Sequence, residues 1–178
     1  YTCFTTSGSL GIKLPVLFSN SDWKRIILHI SFYASKPYKI FLGKKTRAAI
    51  IGLVEGRSAG VTCFRNLSNL IFEKKELSLL WPIEKIIEEL NTFNPEQLVS
   101  YPGVFTSLVQ YKREGILKIK PKKIFLSGEV LTEENRKIIQ GVFNCPVINS
   151  YGASECLVMG TKISSAPYKL FPNICHIE

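Results

Sequence analysis

The stretch from Ile124 to Glu155, IFLSGEVLTEENRKIIQGVFNCPVINSYGASE, constrains the chain more than any other. Ile124 to Ser127 is a short apolar run stopped by Gly128, the pattern of a buried strand. Thr132 is a good helix N-cap, because its hydroxyl can accept from a free first-turn N–H. Glu133 and Glu134 then complement the positive end of the helix dipole. Ile138, Ile139, Val142 and Phe143 recur at helical spacing and give that helix an apolar face. Asn144 to Pro146 turns the chain, and Val147 to Ser150 reads as a second strand. Strand, helix and strand of these lengths predict a right-handed βαβ crossover joining two parallel strands. The loops Gly128-Glu129 and Tyr151-Gly152-Ala153-Ser154-Glu155 both follow carboxyl ends of strands, where open α/β sheets bind ligands. They are the candidate site.

Upstream segments keep the same alternation. Tyr1 to Thr6 reads as the tail of a strand, and Ser7-Gly8-Ser9-Leu10-Gly11-Ile12-Lys13 follows it. Such a loop can turn several backbone N–H groups onto an anion, with hydroxyls and a mobile lysine as further donors. It also reads as the tip of a hairpin whose second strand is Leu14 to Phe18, and both readings can hold at once. Asn20 to Ser35 predicts a helix capped by Ser21 or Asp22, with Trp23, Ile26, Ile27, Ile30 and Tyr33 on one face. His29 lies beside that face and is assigned a structural place. Gly43-Lys44-Lys45-Thr46 superficially resembles the end of a P-loop but lacks the upstream glycine, and it is rejected.

Ala48 to Val54 predicts a buried strand, Gly56 to Gly60 a flexible loop, and the span 61–80 short strands or irregular chain. Pro82 opens a helix carrying Ile83, Ile86, Ile87 and Leu90 at i, i+3, i+4 and i+7. Leu98 to Ser100 reads as a strand. Tyr101-Pro102-Gly103 then turns into a helix bearing Phe105, Leu108 and Val109, closed by Gly115. The predicted class is α/β: a mostly parallel sheet with flanking helices.

Composition narrows the partners. The 23 Lys and Arg against 14 Asp and Glu leave a net charge of +9, compatible with nucleic acid, anionic lipid or phosphate-bearing ligands. The lysines are dispersed rather than banked on one helix, which favours a solvated surface. No aromatic-basic stacking motif or recognition helix is present, so nucleic acid is not an expected partner. No apolar run is long enough to span a bilayer, and no signal-peptide pattern opens the chain. With Tyr first and Met159 the only methionine, a piece of a longer protein is expected. Five scattered cysteines fit reduced thiols and a cytoplasmic setting. Cys156, Cys175 and His176 could contribute to a metal site, but without paired CxxC spacing reduced structural cysteines are the preferred reading.

Taken in order, these segments resemble the adenylate-forming superfamily of acyl- and aryl-CoA ligases, and most of all phenylacetate–CoA ligase and its relatives. Thr5-Thr6-Ser7-Gly8-Ser9-Leu10-Gly11 resembles that family's phosphate-binding loop. Ser127-Gly128-Glu129-Val130-Leu131 resembles its adenine-flanking loop, and Tyr151-Gly152-Ala153-Ser154-Glu155 its tyrosine-glycine-x-Ser/Thr-glutamate motif. Ser100-Tyr101-Pro102-Gly103 sits at the strand-to-helix turn beside the acyl pocket, and Cys175-His176-Ile177-Glu178 resembles a histidine-containing strand of the same branch. The likeness runs through nearly the whole chain.

The resemblance implies that residues 1–178 form part of an AMP-binding N-terminal domain, with the C-terminal lid domain absent. It implies ATP and magnesium as cofactors, CoA as cosubstrate and a small carboxylate as substrate, and it leaves a homodimer open. Tyr151 and Gly152 would face adenine across from Gly128 and Glu129. Ser154 would donate to the α-phosphate, and Glu155 would hold magnesium, these two being the catalytic pair. Thr6, Ser7, Gly8, Ser9, Gly11 and Lys13 would cover the β- and γ-phosphates. Tyr101, Gly103 and Phe105 would meet the acyl group. Leu10 stands where the family usually has Ser or Thr. A hydrogen bond to a charged group is worth about 1.5–3 kcal/mol, so its loss also admits a homologue that binds nucleotide without making thioester.

Overall fold

A computed structural model describes residues 1–6, 14–34, 43–56, 58–163, 166–172 and 174. Its centre is a seven-stranded sheet in the order β4-β3-β5-β6-β7-β8-β9. The strands are β3 (Thr46–Gly52), β4 (Phe72–Ser78), β5 (Gln97–Ser100), β6 (Lys123–Leu126), β7 (Val147–Ala153), β8 (Leu157–Ile163) and β9 (Lys169–Leu170). β4 through β7 are parallel, while β8 and β9 add antiparallel. The predicted α/β class and βαβ unit are therefore present. A separate antiparallel hairpin joins β1 (Thr2–Thr5) to β2 (Pro15–Phe18).

The period of two in the central strand sorts the core into layers. Ala49 and Ile51 of β3 face one side of the sheet. There they pack with Leu98, Ile124, Leu126 and Val147 under three helices: α3 (Ile83–Phe93), α4 (Pro102–Arg113) and α5 (Glu133–Phe143). Ala48 and Ile50 face the other side, under α1 (Asn20–Ala34) and α2 (Ala59–Asn66), through Ala34, Val61 and Phe64. A third cluster seats the β1–β2 hairpin: Phe4, Trp23, Ile26, Ile27 and Leu157, with Val16, Phe18 and Ile174 against it. Strand β4 is the edge, and its Glu73-Lys74-Lys75-Glu76 run blunts further pairing.

Two segments depart from the expectations. The span expected to be a loop and irregular chain contains α2. Its sequence, AGVTCFRN, is poor in helix formers, yet Val61 and Phe64 are buried against β3. Lys74 on β4 completes its end by donating to the Arg65 and Leu67 carbonyls. Packing overrides propensity here. Second, β7 does not stop at Ser150. It runs on through Tyr151 and Gly152 to Ala153 and turns into β8, with a register shift between Tyr151 and Gly152.

Candidate nucleotide site

Strands β6 and β7 are hydrogen-bonded neighbours in which Leu126 pairs with Asn149. Gly128 and Tyr151 each lie two residues beyond that pair, so both reach the same carboxyl edge of the sheet. Strand β5 ends on the same edge, Ser100 pairing with Leu126, and brings Tyr101 and Gly103 alongside. Strand order reverses between β3 and β5, which places a topological switch point at this edge.

Gly128 needs its glycine. It has φ +82°, and a Cβ there would meet the Tyr101 ring at 2.9 Å. Glu129 does not simply edge a slot: its Oε2 accepts from the Gly103 N–H at 2.9 Å. Half-burial and the Glu129 charge raise the Tyr101 phenol above its usual range, burial being the larger cause.

Tyr151 is exposed and offers an open ring face, with the Tyr168 ring tilted against it at 5.8 Å. Tyr168 is positioned by Asn149, whose Nδ2 donates to its hydroxyl at 2.8 Å, and the Lys162 ammonium lies over its ring at 5.9 Å. Tyr168 was not legible as a site residue, because its nearness to Tyr151 depends on β8 and β9 folding back along β7.

Gly152 is held more tightly than a loop glycine. A Cβ there would overlap the Leu157 carbonyl across the hairpin, while Leu157 itself adopts φ +61°. The turn Ser154-Glu155-Cys156 between them is fastened by the Cys156 N–H donating to the Ala153 carbonyl at 3.2 Å. The expected loop Tyr151 to Glu155 is thus corrected to a strand end and a tight hairpin turn. Ser154 is half-buried on that turn. Glu155 is exposed, with no hydrogen-bond or ion-pair partner among the described residues. Among the described residues no cluster of three or more His, Cys, Asp or Glu side chains is present. A lone free carboxylate suits magnesium, a hard cation that is commonly held by one or two carboxylates together with phosphate oxygens and waters.

Thr6 stands at the neck of the glycine-rich loop. Its N–H donates to the Leu14 carbonyl at 3.0 Å, and its Oγ1 accepts from the Leu14 N–H at 3.1 Å. Ser7, Gly8, Ser9, Leu10, Gly11 and Lys13 lie outside the described residues, as do Cys175 and His176. Beside the neck, Thr5 forms a parallel bridge with Ser58, beyond the carboxyl end of β3. Leu157, two residues after Glu155, packs in the hairpin's own cluster, so the hairpin that bears the glycine-rich loop and the Glu155 turn share one packing unit. Phe105 is placed differently from Tyr101 and Gly103. It is fully buried against Phe143, edge to face at 5.5 Å, and turns no surface to this edge. Two cavities, of about 460 and 320 Å³, are lined by none of the expected site residues.

Over most of its length the chain has the fold of adenylate-forming enzymes. 2-Hydroxyisobutyryl-CoA ligase, in an open conformation with 2-HIB-AMP and CoA, matches 92% of the chain at TM-score 0.69 and 15% identity. The acyl-CoA synthetase (AMP-forming)/AMP-acid ligase II-like protein of Dyadobacter fermentans matches 96% at TM-score 0.68 and 20% identity. The NpsA N-terminal subdomain of Klebsiella oxytoca, in complex with 3-hydroxybenzoyl-AMSN, matches 90% at TM-score 0.64 and 18% identity. The match covers 36%, 47% and 39% of those three chains. Protein CapK of Staphylococcus aureus is 38% identical over 71 residues, which are 39% of this chain and 16% of CapK. No protein-family model matches the chain. Among the described residues no helix is long and apolar enough to cross a membrane.

Proposed function

We propose that residues 1–178 are part of the AMP-binding N-terminal domain of a carboxylate–CoA ligase of the phenylacetate–CoA ligase type. The observation that carries this reading is the shared carboxyl edge of β5, β6 and β7, which gathers Tyr101, Gly128, Tyr151 and the Ser154-Glu155 turn. The structural likeness to a CoA ligase in complex with 2-HIB-AMP and CoA supports it.

In this reading adenine lies on the open face of Tyr151, with the Gly128 backbone as the other edge of its slot. Ser154 donates to the α-phosphate, and the loop beyond Thr6 covers the outer phosphates. A substrate carboxylate oxygen attacks the α-phosphorus, and the bond to pyrophosphate breaks. The CoA thiol then loses its proton to solvent, and its sulfur attacks the acyl carbonyl. AMP departs with the electron pair of the carbon–oxygen bond. Glu155 would hold magnesium, which when bound neutralises phosphate charge. The rest of the protein's task is positioning and electrostatic stabilisation. Cys3, Cys63 and Cys145, none of them in a disulfide, fit a cytoplasmic setting.

A nucleotide-binding homologue that makes no thioester is the second reading, favoured by Leu10 at a position where a hydroxyl would serve the phosphates. Carboxylate-dependent exchange of labelled pyrophosphate into ATP, run on the intact protein with aryl and fatty acids, tests the proposal. Exchange with one class of acid is the expected result. ATP binding without exchange or thioester formation favours the second reading, and no ATP binding overturns both.

A further inference from the structure

We infer that Glu129 is a positioning residue that locks the adenine-side loop to the acyl-side turn, so that the two ends of the site move as one piece. The inference rests on the ligase reading above and deepens it.

The first turn of α4 lacks a cap of its own. Its N-cap residue is Tyr101, which makes no side-chain cap bond, and the next residue, Pro102, has no N–H. Gly103 therefore presents the first free donor of the helix. Glu129 reaches it from a different strand-to-helix connection, at 2.9 Å, and brings a negative charge to the positive end of the helix. A second contact lies beside the first. The Tyr101 ring fits so closely under Gly128 that a Cβ there would meet it at 2.9 Å. Residues 101 and 103 are thus clasped to residues 128 and 129 at two points, one packed and one hydrogen-bonded.

Space at the clasp is tight on both sides. A Cβ on Gly103 would sit 3.2 Å from the Glu129 carboxylate oxygen, close enough to push it by a few tenths of an ångström. Each glycine is thereby accounted for by one of the two contacts, Gly103 by the Glu129 carboxylate and Gly128 by the Tyr101 ring. Where the reading places adenine against Gly128 and the acyl group against Tyr101, a group that fixes one loop fixes the other. Occupancy of either half then changes affinity in the other half, with equal and reciprocal coupling.

The test compares the intact wild-type protein with E129A, E129Q, G103A and the double variant E129A/G103A. MgATP affinity is read by calorimetry and thermal stability by melting. E129Q keeps an oxygen acceptor for the Gly103 N–H but loses the charge, and its MgATP affinity should fall between those of wild type and E129A. E129A should weaken MgATP about tenfold, the scale of one charge-assisted hydrogen bond. G103A should weaken it in the wild-type background and add little in the E129A background, because the two substitutions break the same contact. If E129A and G103A lower the melting temperature but leave MgATP affinity unchanged, Glu129 is only a helix cap and the inference falls. Equal, additive losses in all variants, E129Q included, would mean that the Glu129 charge meets the nucleotide directly, which also overturns it. Failure of wild type to bind MgATP overturns the ligase reading itself, and the clasp with it.

Discussion

At the scale of single residues, two substitutions separate chemistry from architecture at the Tyr151–Cys156 hairpin. G152A drives a methyl group into the Leu157 carbonyl. Forced overpacking of this kind costs about 1–3 kcal/mol. The expected result is a lower melting temperature, measured by circular dichroism, even without any ligand. E155Q should do the reverse. Glu155 is exposed and has no partner among the described residues, so the fold should be indifferent to it. In the intact protein, pyrophosphate exchange should fall by at least about tenfold and recover partly at high magnesium, since a hard cation prefers the charged carboxylate. An unchanged rate and magnesium dependence would leave Glu155 a surface acid. The motif was legible in the sequence because Tyr, Gly, Ser and Glu each have a distinct chemistry. That Gly152 has no room for a side chain was not, since the atom it would strike belongs to the following strand. Glu129 likewise read as one edge of a slot. Its hydrogen bond to Gly103 depends on β5 and β6 being neighbours.

At the scale of elements, the strand–helix–strand unit formed close to its predicted bounds because its signals are local. Thr132 accepts from the Asn135 N–H at 3.2 Å, and of the predicted face Ile139 and Phe143 are buried while Ile138 is exposed, Arg136 taking its place on the buried side. Helix α2 was illegible for the opposite reason: its stability comes from Val61 and Phe64 against β3, a partner the local sequence does not announce. Strands β8 and β9 escaped notice for a similar reason, as their pairing is set by the hairpin that extends β7. Helix α5 also carries an acid-sensitive contact. Arg136, 8% exposed, donates twice to the Glu133 carboxylate, at 2.9 and 2.6 Å. Chiefly through that hydrogen bond, the Glu133 carboxyl is held below its ordinary value of 4.5. A lowered folded-state value means that the stabilisation is fully present above the unfolded value and disappears as pH falls through the folded one. E133Q should therefore melt slightly lower than wild type at pH 7, with the gap narrowing as pH falls below 4.5. A gap that does not narrow anywhere on the acid side would show that the pair contributes nothing through charge.

At the scale of the whole molecule, the 178 residues are expected to bind nucleotide more readily than to complete a reaction. The match covers 36% of the 2-hydroxyisobutyryl-CoA ligase chain, and water exclusion over such a site is commonly the work of a moving lid. In a single-turnover assay with a carboxylate, ATP and CoA, this stretch alone should form no thioester while the intact protein does. Turnover by the stretch at the full rate would show the site complete within it. The third core cluster has a consequence for the order in which the site comes into being. Phe4 and Leu157 pack in that one cluster, although almost the whole described chain separates them in sequence. Contacts so distant carry a large loop-closure cost and form late. During synthesis the hairpin bearing the glycine-rich loop can pack early on Trp23, Ile26 and Ile27 of α1, but its cluster closes only when β7 and β8 have emerged and Leu157 arrives. The neck of the glycine-rich loop and the Glu155 turn are then set down in the same closing step.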